Sequence, residues 1–261
     1  MNFIDEIAEK NRFVDIALSL MYEKYSEDDL IIRKLSDLLF EYSRFYSLSP
    51  DNISEKYMFF LKEYKNDVKY FIENDVYYKG PIDRQQYDIA LIISAILTEH
   101  RRKIMKELLS INNKEKMCII GVGPGVELSI ISPDKADIYD TALPDFTRQY
   151  FSKKGLSLNK KEFVKEKIYS NIFAIELLEH ISDLDRLLKD IRDSLNEEGF
   201  FYTTYAFNVP QRDHLTNLNE KKIEEIFSDI GFEIHKRIYI EHETLVKELK
   251  PYNIFYHMKV R

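Results

Sequence analysis

Hydrophobic residues in the N-terminal part of the chain recur at spacings of three and four, which places them on one face of a helix. One such stripe covers residues 4–21 and a second covers residues 35–42. A turn at residues 78–81 contains a glycine and a proline and interrupts the pattern. After this turn, Asp83 is placed to cap one long helix that we expect to reach about Ser110. The pattern therefore predicts a helical N-terminal domain over residues 1–113.

From about position 114 the pattern changes, and short apolar runs alternate with helix-like segments. Strands are predicted at four of these runs, which are Met117–Val122, Ala136–Asp140, Ile172–Glu176 and Phe200–Tyr205. Strands that alternate with helices are typical of a mostly parallel sheet covered by helices. Two consecutive strand-like runs, Phe232–Ile240 and Ile254–Val260, predict a closing antiparallel pair. We therefore expect an α/β domain over residues 114–261.

Composition and charge narrow the function. The chain has 45 Asp and Glu against 38 Lys and Arg, a net charge of −7, which disfavours nucleic acid as a partner and favours a small-molecule substrate. The single cysteine, Cys118, excludes an internal disulfide framework. No apolar run is long enough to cross a bilayer, and the first residues lack a signal-peptide pattern. We therefore expect a cytoplasmic protein without a membrane partner.

Three glycines fall within five residues, between the first predicted strand and a helix-like segment. Gly121, Gly123 and Gly125 permit positive φ angles and close approach of the backbone to a ligand, and the following helix N-terminus adds N–H groups. The alternative is a tight turn that binds nothing. Asp140 ends the second strand, where a carboxylate can accept both ribose hydroxyls of a nucleoside cofactor. Its alternative role is a helix cap or a surface acid.

A cluster of acids and histidines follows the third and fourth strands. Glu176, Glu179 and His180 lie where the third strand ends, and His214 lies in the loop after the next strand. Neighbouring parallel strands bring these ends together, so two carboxylates and two imidazoles could hold Mg²⁺, Mn²⁺ or Fe²⁺. Alternatively, the segment from Glu176 to His180 only packs and orders its loop, and His180 or His214 acts as a general base without a metal.

The order of these motifs resembles class I S-adenosylmethionine (SAM)-dependent methyltransferases over roughly residues 116–261. The motifs are Gly121-Val-Gly-Pro-Gly125, the acid one strand later, Leu178-Glu-His-Ile181, Leu195-Asn-Glu-Glu-Gly199 and Gly231-Phe. The subset with the LEH signature, which includes ubiquinone-pathway O-methyltransferases, is the most similar. The resemblance implies a Rossmann-like sheet with an antiparallel C-terminal strand, and SAM as the cofactor.

The resemblance also implies roles for single residues. Gly121, Gly123 and Gly125 would line the methionine and ribose part of SAM, Asp140 would hold the ribose hydroxyls, and Glu166 would face the adenine. Glu166 stands near the end of a further predicted strand, and a solvated acid is the alternative interpretation. An acid usually lies two positions before the first glycine in this family, and here that position is Ile119. Contacts to the SAM amino group must therefore come from elsewhere.

The Glu176-Leu-Leu-Glu179-His180 segment with His214 is similar to the metal ligands of small-RNA 2′-O-methyltransferases, which implies a divalent metal that orients a substrate oxygen. The helical domain would then form a lid that contacts the substrate. Its charged run Glu99, Arg101, Arg102 and Lys103 is interpreted as a solvated face.

The leading hypothesis is O-methylation of a small polar metabolite, sugar-linked or phosphoryl-bearing. Three alternatives remain: an RNA or protein methyltransferase, a SAM-dependent aminocarboxypropyl transferase, and a non-catalytic SAM-binding module. The sequence does not decide between oxygen and nitrogen as the acceptor, and it does not give the oligomeric state.

Overall fold

The computed structural model describes residues 2–26, 29–111, 116–243 and 249–261. These residues divide into two compact units. The first, which we call the helical unit, contains the chain up to Ser110 together with Pro124–Ile131 and Pro210–Asp213. The second, which we call the sheet unit, contains Ile111–Gly123, Ser132–Val209 and His214–Arg261.

The helical unit is built from amphipathic helices. They are α1 (Phe3–Ala8), α2 (Arg12–Tyr25), α3 (Leu30–Tyr46), α4 (Pro50–Asn74), α5 (Arg84–Leu97), α6 (Glu99–Ser110) and α7 (Val126–Ile131). Side chains of Asn11, Asp29, Ser49 and Asp83 accept N–H groups in the first turns of α2 to α5, which satisfies donors that have no partner within the helix. Helix α3 alone buries five aliphatic side chains in the core: Ile31, Ile32, Leu35, Leu38 and Leu39.

The single long helix expected after Asp83 is instead two helices. Thr98 has extended backbone angles, φ −113° and ψ 138°, and separates α5 from α6. Its Oγ1 donates to the carbonyl of Ser94 at 2.7 Å, so the side chain occupies an acceptor at the end of α5. A β-branched residue adopts this extended conformation readily, so the helix is interrupted at Thr98 although the apolar periodicity continues.

The prediction of a solvated charged face on α6 is wrong for two of its four residues. Arg102 is 1% exposed, pairs with Asp29, and its guanidinium lies 3.7 Å from the ring centroid of Tyr25. Arg101 is also buried and pairs with Glu127 on α7 at 3.3 Å. A planar guanidinium can be buried when carboxylates and an aromatic face replace its water.

The sheet unit contains a seven-stranded sheet in the order β3-β2-β1-β4-β5-β7-β6. The strands are β1 (Met117–Ile120), β2 (Ala136–Tyr139), β3 (Ser157–Asn159), β4 (Tyr169–Ala174), β5 (Leu195–Phe207), β6 (Phe232–Glu241) and β7 (Tyr252–Val260). Strands β1 to β5 pair in parallel, and β7 pairs antiparallel with both β5 and β6. The prediction of a mostly parallel Rossmann-like sheet with an antiparallel C-terminal pair is confirmed.

The remaining helices of this unit are α8 (Asp145–Ser152), α9 (Leu184–Arg192), α10 (Glu220–Ile230) and a short 3-10 helix at Leu178–His180. Buried residues of α9 and α10, among them Leu188 and Phe227, pack in one core with Ile172 and Phe201 of the sheet. Strand β5 begins at Leu195, earlier than the predicted Phe200, and its pairing with β4 shifts register between Leu195 and Phe200. No helix in the described part of the chain is long and apolar enough to cross a membrane.

Candidate active site

The glycine loop leaves β1 with a backbone that only glycine adopts easily. The φ angles are +71° at Gly121, +48° at Gly123 and +93° at Gly125. The Gly121 N–H donates to the carbonyl of Tyr139 at 2.8 Å. The peptide groups of Gly123 are held on both sides, since its N–H donates to Oδ2 of Asp140 at 2.9 Å and its carbonyl accepts from Oγ1 of Thr147 at 2.8 Å. The start of the loop is therefore a fixed element.

Asp140 follows β2 directly and is half-buried. Its Oδ1 accepts the N–H of Ala142 at 2.8 Å, and its Oδ2 accepts the N–H of Gly123. An ionised carboxylate has about four acceptor sites, so each oxygen keeps capacity for a further donor. A carboxylate held by two backbone N–H groups at the end of a parallel strand fits the hydroxyl groups of a ribose.

The segment after β4 packs directly on the first glycine. A Cβ atom at Gly121 would lie 2.6 Å from Cδ1 of Leu177, closer than any real contact. Strands β1 and β4 are neighbours in the sheet, with Ile119 paired to Phe173. Glycine is therefore favoured at this position by the packing of Leu177 as well as by its positive φ angle.

Glu166 does not stand at the end of a strand. It lies in the exposed segment between β3 and β4, where residues 160–168 form no strand, and it pairs with Nζ of Lys161 at 2.6 Å. Glu166 was assigned to the adenine because it was predicted to stand near the end of a strand, and the structure has no strand there. An adenine contact at Glu166 stays a prediction without that support.

The structure brings the two predicted histidines together. His180, in the 3-10 helix, and His214, in the loop after β5, have ring centroids 4.9 Å apart at an interplanar angle of 81°. His214 is buried and His180 is half-buried. The loop is held to the 3-10 helix because the N–H groups of Leu215 and Thr216 donate to the carbonyl of Glu179 at 2.8 and 3.2 Å.

The two predicted carboxylate ligands contact other groups. Glu179 is 1% exposed, and its Oε1 accepts the N–H of Ala206 on β5. Oε1 of Glu176 accepts Nδ2 of Asn253 on β7 at 3.3 Å. Among the residues that the structure describes, neither glutamate belongs to a group of three or more candidate ligands whose donor atoms all lie within 4.8 Å of one another. The four predicted metal ligands therefore do not form one compact set.

Three polar residues of this region were not predicted from the sequence: Thr147, Thr204 and Asn253. Thr204 is fully buried on β5, and its Oγ1 accepts the N–H of Glu176 at 2.7 Å. Each of these three residues meets its partner only through the packing of strands and helices. No local motif marks such residues.

Arg212 lines a cleft in the helical unit. Its guanidinium forms a fork with Asp67, both hydrogen bonds being 2.8 Å, and also donates to Glu63 and to the carbonyl of Pro81. Gln211 beside it donates to the hydroxyl of Tyr87 at 3.0 Å. These contacts fix residues 210–213, which directly precede His214 in the chain, on the helical unit.

No protein-family model matches the chain, and no curated protein matches it. Solved structures with a similar fold include StiE O-MT residues 961–1257, at 12% identity over 69% of this chain and 77% of that chain, with a TM-score of 0.50. The N-methyltransferase NodS from Bradyrhizobium japonicum WM9, in complex with S-adenosyl-L-homocysteine, is 11% identical over 62% of this chain and 88% of that chain, with a TM-score of 0.51.

A third similar structure is the [4+2]-cyclase SpnF, at 9% identity over 61% of this chain and 80% of that chain, with a TM-score of 0.50. At such identities the similarity shows the fold alone, and that fold is Rossmann-like. One of the three is named as a cyclase, so the reaction has to be argued from the residues of the site.

Proposed function

We propose that this protein is a SAM-dependent methyltransferase that transfers the methyl group to an oxygen atom of a small polar molecule, sugar-linked or phosphoryl-bearing. The observation that carries the proposal is the clamped glycine loop beside Asp140. The N–H of Gly123 donates a hydrogen bond to this carboxylate, and the three glycines of the loop, at every second position, have positive φ angles. This is the arrangement that a nucleoside cofactor needs at the ends of parallel strands.

In the proposed complex Gly121, Gly123 and Gly125 line the methionine and ribose part of SAM, and Asp140 accepts the ribose hydroxyls. When bound, SAM supplies an electrophilic methyl group on a sulfonium. The chain contributes a rigid backbone, since Asp140 and Thr147 hold the N–H and the carbonyl of Gly123. A loop that the fold holds in this way avoids part of the cost of ordering on binding.

The pair of histidines is the proposed source of base catalysis. A neutral imidazole can take a proton from a hydroxyl group near pH 7, and this typically contributes roughly 10²- to 10⁴-fold in rate. His180 and His214 are adjacent, and the hydrogen bonds of Leu215 and Thr216 to Glu179 hold them there. We assign the general base to this pair. One imidazole takes the proton from the hydroxyl group that accepts the methyl group, and the other imidazole orients the first.

A divalent metal bound by Glu176, Glu179, His180 and His214 stays a prediction. The contacts of the two carboxylates to Asn253 and to the N–H of Ala206 favour a mechanism in which the histidines act without a metal. The measurement is elemental analysis of the purified protein, with turnover recorded before and after treatment with EDTA. We expect turnover to survive EDTA, and loss of turnover that Mg²⁺ or Mn²⁺ restores would contradict the metal-free mechanism.

The proposed reaction is tested by incubating the protein with SAM and a panel of hydroxylated and amine-bearing small molecules, with RNA and protein as separate acceptors. Mass spectrometry of the products is expected to give S-adenosylhomocysteine (SAH) and a methylated hydroxyl compound. Methylthioadenosine as the product would instead indicate aminocarboxypropyl transfer, and methylation of RNA or protein alone would refute a small-molecule acceptor. Absence of any product from SAM across all acceptors would leave the non-catalytic module.

Variants then test the base. His180→Ala and His214→Ala should each lower the rate of methyl transfer by at least about 100-fold. His235→Ala is the matched control, because His235 is an exposed histidine on β6. Retention of the wild-type rate in both His180→Ala and His214→Ala would refute the assignment.

A further inference from the structure

Glu176 is held in an unusual conformation immediately beyond β4. Its φ angle is +49°, in the left-handed region that residues with side chains rarely adopt. Two side chains on neighbouring strands fix it there. Thr204 accepts its N–H at 2.7 Å, and Asn253 donates from Nδ2 to its Oε1 at 3.3 Å. Backbone strain that is maintained by surrounding contacts is found most often at functional sites.

Asn253 is suited to orient this carboxylate. It is fully buried on β7, between Ala206 of β5 and Ile240 of β6. Its Oδ1 contacts Nε2 of His242. An amide has one donor end and one acceptor end, so with Nδ2 directed at a carboxylate, Oδ1 requires a donor, which His242 provides through its Nε2–H. The hydrogen bonds therefore run in one direction, from His242 to Asn253 and from Asn253 to Glu176.

The glycine loop itself contains no negative charge. Every residue from Met117 to Val126 is uncharged, including the buried Ile119 two positions before the first glycine. The methionine part of SAM ends in an ammonium group, which loses water on binding and then requires an acceptor, preferably an anionic one. Glu176 lies just beyond β4, the strand that pairs with β1, and the next residue, Leu177, packs on Gly121, so Glu176 is a second acid at this end of the sheet besides Asp140.

We propose that the carboxylate of Glu176 accepts the ammonium group of the methionine part of SAM, and that Asn253 is the positioning residue that presents it. The proposal rests on the proposed function, since it assumes that SAM binds at the glycine loop. It assigns an anionic partner to the ammonium group, for which the uncharged loop provides none. Glu176 then replaces the acid that the related loops carry at the position of Ile119.

The test compares two ligands by isothermal titration calorimetry. SAH carries the ammonium group, whereas methylthioadenosine has the same nucleoside without the amino-acid part. Glu176→Gln should weaken SAH binding by roughly 10- to 100-fold, as expected for a charge-assisted hydrogen bond. Binding of methylthioadenosine should change by less than about twofold, because that ligand has no group for Glu176 to contact. Glu233→Gln, on an exposed acid of β6, is the matched control and should change neither affinity.

A second variant tests the positioning role. Asn253→Leu leaves Glu176 in place but removes its donor, and it should lower SAH affinity at least about fivefold without changing that of methylthioadenosine. In the double variant Glu176→Gln/Asn253→Leu, SAH affinity should match that of Glu176→Gln alone, since Asn253 acts only through Glu176. A variant that merely damaged the fold would weaken both ligands, and this result would overturn the assignment of Asn253.

The outcomes separate this inference from the proposed function. If the wild-type protein binds SAH and methylthioadenosine but Glu176→Gln binds both as the wild type does, SAM binding stands and the role of Glu176 is refuted. Equal weakening of both ligands in Glu176→Gln also refutes that role. If the wild-type protein binds neither ligand, the proposed function fails, and the inference fails with it.

Discussion

Two glycines with nearly the same φ angle allow a controlled test of the packing beneath the glycine loop. Gly121 has φ +71° and Gly155 has φ +76°, so an alanine at either position must adopt a positive φ. That conformation costs an alanine roughly 1–2 kcal/mol. The surroundings differ, because a Cβ at Gly155 meets nothing within 4 Å, whereas one at Gly121 lies 2.6 Å from Cδ1 and 3.2 Å from Cγ of Leu177.

We therefore expect Gly155→Ala to lower the free energy of unfolding of the sheet unit by about 1–2 kcal/mol. Gly121→Ala should lower it by a further 1–2 kcal/mol or so, because overpacking typically adds about 1–3 kcal/mol and the end of the Leu177 side chain can shift only in part. Leu177 packs against the buried core of the sheet unit, which limits that shift.

The assay uses Cys118, the single cysteine, which is fully buried on β1. Its labelling by a thiol reagent along a urea series reports unfolding of the sheet unit. In a Leu177→Ala background, Gly121→Ala and Gly155→Ala should lower the free energy of unfolding equally, because the contact that distinguishes the two positions is gone. The reasoning would be refuted if the two alanine variants lost equal free energy of unfolding in the wild-type background. It would also be refuted if Gly121→Ala still lost more than Gly155→Ala in the Leu177→Ala background.

Three further predictions follow from buried charges and the buried thiol. Arg212→Ala should lower the free energy of unfolding of the helical unit by about 3 kcal/mol, because it leaves the buried Asp67 without its fork. The exposed Arg44→Ala, on α3 of the same unit, should lower it by under about 0.5 kcal/mol in the same urea titration followed by far-UV circular dichroism, and similar losses in the two variants would contradict this. Burial opposes ionisation of Asp137, but hydrogen bonds from a lysine and a tyrosine outweigh it and keep the pKa of this carboxyl below its ordinary value. The unfolded chain then binds the proton more readily, so this contribution to stability is complete above about pH 4 and is lost as the pH falls through the lower folded pKa. Asp137→Asn should therefore flatten the decline of stability below about pH 4, and parallel declines in both proteins would show that the carboxyl contributes nothing. Burial, together with the charge of Asp137, raises the pKa of the Cys118 thiol well above its usual range, so in the absence of urea the thiol should not react with a disulfide reagent at pH 8, and rapid labelling of the folded protein would be inconsistent with the packing of β1.

The sheet could be predicted because its signals are local. Each parallel strand is a short apolar run bounded by turn residues, and burial on both faces produces such a run. Strand β2, for example, is Ala136–Tyr139, one residue shorter than predicted. The antiparallel end of the sheet was predicted because two strand-like runs follow each other there without a crossover helix.

The features that could not be predicted from the sequence depend on contacts between residues that are distant in the chain. Glu176 and Asn253 are 77 positions apart and meet only because β5 lies between β4 and β7 in the sheet. Arg102 looks like a surface cation in the sequence, and it is buried because Asp29, 73 positions earlier, caps α3 beside it. Hydrophobic periodicity contains no information about such pairs, so polar residues inside elements cannot be assigned partners before the packing is known.

The central claim is that a SAM-type nucleoside binds at the glycine loop through Asp140. Calorimetric titration of SAH into the wild-type protein and into Asp140→Ala tests this claim most directly. We predict saturable binding at one site per chain in the wild type and at least about 100-fold weaker binding in Asp140→Ala, since a carboxylate that accepts two hydroxyl groups is removed. No binding of SAH by the folded wild-type protein at millimolar concentration, or equal affinity in the two proteins, would contradict the claim.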